Sequence, residues 1–185
     1  KRCIESIKKH YVEEIKNKKF EIFVVDNAST DGSKDFFPEI KDITFILNNQ
    51  NLGFSKGNNA AIGKTKGRYV LFLNPDTIVY KDTLTKMIEF MDTQKQAGAA
   101  TCKVLMGNGQ VEDATHRGFP TPWNAFCHFT GLGKIFPKSK IFAKYTMGWL
   151  LSDKKPHEVD AVSGAFFWVR QVAGNQVGWW DEDYF

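Results

Sequence analysis

The sequence predicts an α/β fold on a largely parallel sheet, and three observations carry that prediction. Short, predominantly apolar runs, FEIFVVD, ITFIL and RYVLFL, lack a regular alternation and read as strands buried on both faces. Stretches of helical periodicity separate them, the order that builds a parallel sheet. Each run also ends in a polar cluster: Asp26-Asn27, Asn48-Asn49 and Asn74-Pro75-Asp76. In an open parallel sheet the carboxyl ends of the strands share one edge, where ligands bind. The three clusters are therefore expected to converge on one crevice.

The elements follow in order. Ile4, Ile7, Tyr11, Val12 and Ile15 recur at helical spacing and predict an opening helix over about 3–18. A strand over 20–25 leads into NASTDGS, a turn in which Asp31-Gly32 supplies the positive φ. A second strand spans 43–47, and GFSKGNNAAIGKT reads as a loop entering a helix over 54–64. The third strand, 68–73, delivers the Asn-Pro-Asp-Thr turn. Asp82 is the expected N-cap of a helix whose stripe is Leu84, Met87, Ile88 and Met91. Further strands are expected over 98–105 and 164–170. The chain shows no repeats, and residues 1–185 read as a single domain.

Composition narrows the class. The chain is 42% hydrophobic and 25% charged, with no apolar run near the ~18 residues of a membrane span. A net charge of +4 is too mild to point to nucleic acid. Cys3, Cys102 and Cys127 form no C-x-x-C pair, which suits a reducing, cytoplasmic setting and argues against a disulfide framework or zinc site. The sequence starts within a helical pattern and stops at WWDEDYF, so it is expected to be a fragment.

Two phosphate devices are excluded. No G-x-G-x-x-G opens a helix after a strand. Gly63-Lys64-Thr65 ends like a P-loop, but its partner glycine would fall at Asn58, and a strand follows instead of a helix. A carboxylate-centred site remains. Asp76 is acceptor-only, and a hard divalent cation such as Mg²⁺ or Mn²⁺ takes one or two carboxylates beside water and phosphate oxygens. Such a metal would neutralise a diphosphate leaving group. Taken alone, Asn-Pro-Asp-Thr is equally a simple turn.

The ordered motifs VVDNASTDGS, NQNLGFSKGNNAAI, GRYVLFLNPDT, VDAVSGAFFWVR and GWWDEDYF resemble the family 2 glycosyltransferases, most of all the bacterial rhamnosyltransferase-like group. The resemblance covers nearly the whole chain, loosely over 106–158. It implies a GT-A fold, a nucleoside-diphosphate-sugar donor, a divalent metal and inversion at the anomeric carbon, in cell-surface polysaccharide synthesis. It implies that Asp26, with Asn27, contacts the nucleotide, and that Asn51, Gly53, Lys56 and Asn58 line it. Asp76 matches the last Asp of the D-x-D motif and would hold the metal; Asn74 replaces the first. Gly164 is expected to allow close backbone approach near the donor sugar. From the residues alone, Asp26 could instead cap its own turn, Asn51 and Asn58 could be loop and cap residues, and the glycines could serve backbone geometry.

An inverting transfer needs a general base for the acceptor hydroxyl and stabilisation of the departing diphosphate. Asp181, Glu182 and Asp183 are the candidates for the base within the chain, although from the residues alone they could be a solvated acidic loop. The family carries a further Glu-Asp motif a few residues later, so the base is expected beyond Phe185 and the 185-residue chain is expected to be inactive. The family's first strand is likewise expected ahead of Lys1. A non-catalytic nucleotide- or glycan-binding relative is the alternative, and a pyrophosphorylase would need an N-terminal glycine-rich loop that is not present. Between Ala114 and Ser152 there is no Asp or Glu, while Arg117, Lys134, Lys138, Lys140 and Lys144 alternate with seven aromatics from Trp123 to Trp149. That stretch is expected to face a glycan or lipid-linked acceptor and, peripherally, the inner face of a membrane; from the residues alone, the aromatics could equally be core and the lysines merely solvated.

Overall fold

A computed structural model describes residues 1–36, 40–112, 115–150 and 155–184, with His116 as backbone only. In chain order the elements are α1 (Arg2–Lys16), β1 (Phe23–Asp26), α2 (Ser33–Phe36), β2 (Thr44–Leu47), α3 (Gly53–Ile62), β3 (Tyr69–Leu73), α4 (Thr83–Thr93), β4 (Ala99–Ala100), β5 (His116–Arg117), α5 (Pro122–Phe129), α6 (Leu132–Ile135), β6 (Ala161–Val162), β7 (Phe166–Arg170) and α7 (Gln171–Val177). They form two compact units: Lys1–Ala99 with Val169–Phe185, and Ala100–Trp168.

In the first unit β1 and β2 pair in parallel, with Asp26 opposite Leu47, so their carboxyl ends lie side by side. Asn48 N–H extends the ladder to the Asp26 carbonyl at 2.9 Å. The parallel α/β architecture expected from the sequence is present. β3, however, lies in a separate sheet of order β3-β7-β4. The expectation that all three strand ends line one sheet edge is therefore corrected among the described residues: β3 pairs with the late strand β7. Burial on both faces is also corrected for β2, whose Thr44 and Leu47 are exposed, as befits the outer strand of a two-stranded pair. The strand expected over 98–105 shrinks to Ala99–Ala100, and Leu105 makes only an isolated bridge to Val111.

Helix α1 shows why the β3 tip stands where it does. Its buried face is Cys3, Ile4, Ile7, Tyr11 and Ile15, while Val12, expected on that face, is exposed. Three side chains of this helix reach the segment after β3. Cys3 Sγ and Thr77 Oγ1 are 3.5 Å apart, Ser6 Oγ accepts from Val79 N–H, and Tyr11 Oη accepts from Leu84 N–H at 2.9 Å. The last bond replaces the expected cap. Asp82 stands at the N-cap of α4 with φ +64° and makes no side-chain capping bond. In α4, Leu84, Met87 and Met91 of the expected stripe are buried, while Ile88 is only half-buried.

In the second unit α5 packs against α6. Thr121 caps α5 by accepting from Asn124 N–H, and Pro122 begins the helix, where a missing N–H costs nothing. Cys127, Ala143, Met147, Phe166 and Trp168 are buried. β5 and β6 pair antiparallel. Among the described residues no helix is long and apolar enough to cross a membrane.

Candidate functional site

The end of β1 places a carboxylate in the protein interior. Asp26 is 4% exposed. Its Oδ1 accepts from both the backbone N–H and the hydroxyl of Ser29, closing the turn after the strand. Its Oδ2 is buried and receives no hydrogen bond among the described residues. One oxygen thus caps the turn, as the local reading of the sequence allows, and the other has no hydrogen-bond partner among the described residues. A buried acceptor left unsatisfied costs about 1–3 kcal/mol and calls for an explanation.

Beside it a chain of amides ties three elements together. Asn48 Nδ2 donates to Asn27 Oδ1, and Asn27 Nδ2 donates to the Gly53 carbonyl, each at 2.8 Å. The ends of β1 and β2 are thereby fixed to the first residue of α3. Asn51 Oδ1 accepts from Gly53 N–H at 2.9 Å, and Gly53 adopts φ +77°, a conformation open to glycine and strained for other residues. Asn51, Gly53 and Asn27 thus form one constellation. Asn58 does not join it, because its amide donates to the Phe54 carbonyl of its own helix. Lys56 is exposed on α3 and forms no ion pair among the described residues.

At the tip of β3 the Asn74 carbonyl accepts from both the N–H and the hydroxyl of Thr77, which closes the Asn-Pro-Asp-Thr turn. The Asn74 amide is half-buried with no side-chain hydrogen bond among the described residues, and Asp76 is exposed. Burial pushes the Cys3 thiol up from its ordinary value, and the Asp76 charge adds to that shift. Among the described residues no three His, Cys, Asp or Glu side chains gather as a metal cluster. One carboxylate at an exposed tip fits a Mg²⁺ or Mn²⁺ that arrives with a diphosphate and draws its other ligands from phosphate and water.

The acidic segment is held by a residue that the sequence reading passed over. Asn59 donates to the Trp180 carbonyl at 2.8 Å and to Glu182 Oε1 at 2.9 Å, and accepts from Trp180 N–H at 3.3 Å. The Trp180 ring meets Phe54 and Phe72 edge-on at 4.9 and 5.1 Å. Asp181 Oδ1 accepts from Asp183 N–H, folding the segment into a turn. Asp183 makes no side-chain bond among the described residues. The doubled Asn of GNN was the available signal, but nothing in the sequence says which of two adjacent amides faces inward.

Gly164 belongs to the second unit, between β6 and β7, where Ser163 Oγ accepts from Ala165 N–H. In the same unit Trp123, Phe126, Phe129 and Phe136 are exposed, with Phe129 at 86%. Lys134, Lys138, Lys140 and Lys144 are exposed with them. Arg117 is instead engaged with Tyr145, its guanidinium 5.6 Å from the ring centroid.

Comparison with known proteins gives these features a family. The model described as "Glycosyl transferase family 2" matches residues 1–152. The UDP-Glc:alpha-D-GlcNAc-diphosphoundecaprenol beta-1,3-glucosyltransferase WfaP of Escherichia coli is 38% identical over 80 residues, 42% of this chain and 32% of that protein. Rhamnosyltransferase WbbL of Escherichia coli (strain K12) is 27% identical over 142 residues, 72% of this chain and 49% of that protein. The chain thus spans between about a third and a half of these relatives' lengths. The crystal structure of S. aureus TarS 1-349 matches 98% of this chain and 46% of its own, with a TM-score of 0.62 at 18% identity, a likeness of fold. With a family model over most of its length and this GT-A-type α/β architecture, the chain belongs to glycosyl transferase family 2.

Proposed function

We propose that this chain is the catalytic part of an inverting, metal-dependent hexosyltransferase. In this reading it moves a sugar from a nucleoside-diphosphate donor to a glycan or lipid-linked acceptor in cell-surface polysaccharide synthesis, and both units belong to one catalytic domain. The observation that carries the reading is the buried Oδ2 of Asp26, which has no hydrogen-bond partner among the described residues. An acceptor-only carboxylate oxygen complements the imide N–H of a uracil-type base. WfaP, named for a UDP-glucose donor and a lipid diphosphate acceptor, supports both halves.

Each group then has a task. Asp26 receives the base, while Asn27, Asn51 and Gly53 shape the loop beside it, with Lys56 and Asn58 on the helix that follows. Asn74 and Asp76 face the diphosphate, and Gly164 the donor sugar. A divalent metal held by Asp76 would stabilise charge on the leaving diphosphate. The acceptor hydroxyl loses its proton to a carboxylate base. Its oxygen attacks the anomeric carbon while the bond to the diphosphate breaks and takes the electron pair. Asp181, Glu182 and Asp183 supply carboxylates on the acceptor side. The basic, aromatic face of the second unit meets the lipid-linked acceptor and the membrane that carries it.

A second reading, a module that binds nucleotide without transfer, is favoured by the engagement of Asp181 and Glu182 in bonds within the chain. Calorimetry with UDP and a transfer assay on the full-length protein separate the two. Asp26→Asn replaces the free acceptor with a donor and is expected to weaken UDP binding ~10- to 100-fold, the worth of a hydrogen bond to a charged group. Asp76→Ala is expected to remove the gain in affinity from Mg²⁺ or Mn²⁺ and leave the fold intact. UDP binding indifferent to both substitutions would sink the reading, and binding with no transfer to any glycan or lipid diphosphate would favour the module.

A further inference from the structure

We propose that Asn59 is a positioning residue that sets the acidic segment Asp181–Asp183 against the donor side of the site through helix α3. The inference rests on the reading that this segment works on the acceptor. A carboxamide that both donates to the carbonyl and accepts from the N–H of one residue copies the pairing of a β-strand. Asn59 does this with Trp180, across 121 residues of sequence, and its second N–H reaches the Glu182 carboxylate. Both of its N–H donors and one lone pair of its oxygen are used on one short segment.

The segment is gripped from a second side. A Cβ on Gly174 would lie 2.5 Å from the Trp179 ring, so that ring rests directly on α7. Trp179 Nε1 donates to Asn175 Oδ1 at 2.8 Å on the same helix. With Phe54 and Phe72 against Trp180, the two tryptophans hold the backbone that leads into the carboxylates.

Helix α3 makes this arrangement functional as well as structural. Its first residue, Gly53, is bonded to Asn27 beside the buried Asp26, and Asn59 lies six residues on. At about 1.5 Å per residue, the two attachments are about 9 Å apart along one rigid element. The element that carries the donor loop therefore also fixes the distance to the acidic segment. With Asp181 committed to its turn and Glu182 to Asn59, the position of Asp183 is set by that bond.

The test uses the full-length protein with Asn59→Asp and Asn59→Ala. Asn59→Asp keeps the volume and the acceptor for Trp180 N–H, but loses both donations and sets a second carboxylate beside Glu182. Both variants are expected to lower kcat/KM for the acceptor at least ~10-fold, while the UDP dissociation constant stays within ~2-fold. Hydrogen exchange of residues 180–184 is expected to accelerate at least ~10-fold in both, with exchange over β1 and α3 unchanged. Exchange in 180–184 that matches the parent would overturn the proposal. So would a parallel loss of UDP affinity, which would make Asn59 a donor-site residue. A parent protein that binds no UDP would instead defeat the donor reading, and the exchange measurement would still decide the role of Asn59.

Discussion

Asn27 occupies space that exists only because residue 57 has no side chain: a Cβ built on Gly57 would lie 2.6 Å from Asn27 Nδ2 and 3.2 Å from its Cγ. The helix and the strand end approach each other through this contact. Gly57 is therefore a packing requirement of the amide chain that joins β1, β2 and α3.

Gly57→Ala tests this. Alanine in a helix ordinarily gains up to ~1 kcal/mol over glycine. Here the new methyl group would push out the Asn27 carboxamide, which bonds both Gly53 and Asn48, and each such bond is worth about 1 kcal/mol. The substitution is expected to destabilise by about 1 kcal/mol net and to weaken UDP binding. Gly63→Ala, with open space around its Cβ, serves as the control and should be neutral or better. Urea denaturation of the pair gives the sign directly; a stabilised Gly57→Ala would show that the approach is not needed.

The exposed aromatic and basic face of the second unit gives a prediction about membranes. Trp123 stacks on Phe126 with centroids 5.7 Å apart, and Phe136 meets Phe142 at 5.5 Å, forming an apolar surface bordered by lysines. Each lysine near an anionic surface contributes ~1 kcal/mol, reduced by salt. The intact protein is expected to co-sediment with anionic liposomes at low salt and to release at high salt. Changing Lys134, Lys138, Lys140 and Lys144 to Gln should weaken binding without altering UDP affinity. Sedimentation indifferent to both salt and lysines would remove the membrane from this account.

Alkaline pH should reveal the partial burial of Cys102. Burial pushes its thiol from the ordinary 9.0 up to about 11. The folded state therefore holds the proton more tightly than the unfolded chain, and stability from this group is complete below pH 9 and falls as pH rises from about 9 to about 11. Cys102→Ala is expected to flatten that part of the stability profile, at the cost of a small cavity. Alkylation at pH 8 should also be slow in the native protein, since the thiolate is the reactive form. Rapid modification of native Cys102 at that pH would contradict the burial.

The sequence alone determined the architecture and the chemistry at the strand ends. Apolar runs need a sheet interior and helical periods need a face to bury, so β1, β2, β3, α1, α3 and α4 were legible within a few residues. So were the carboxylate and amides at their tips, because local turn chemistry requires those residue types. What only tertiary structure decided was partnership. Nothing local distinguishes Asn58, which bonds its own helix, from Asn59, which holds Trp180 and Glu182 more than 120 residues away. The Asp82 signature was correct for a cap, yet Tyr11 of α1 satisfied the Leu84 N–H instead. β3 found β7 as its neighbour, a choice that depends on which distant strand reaches its edge. Periodicity and propensity act over a few residues, whereas a hydrogen bond between segments is chosen by how whole elements pack.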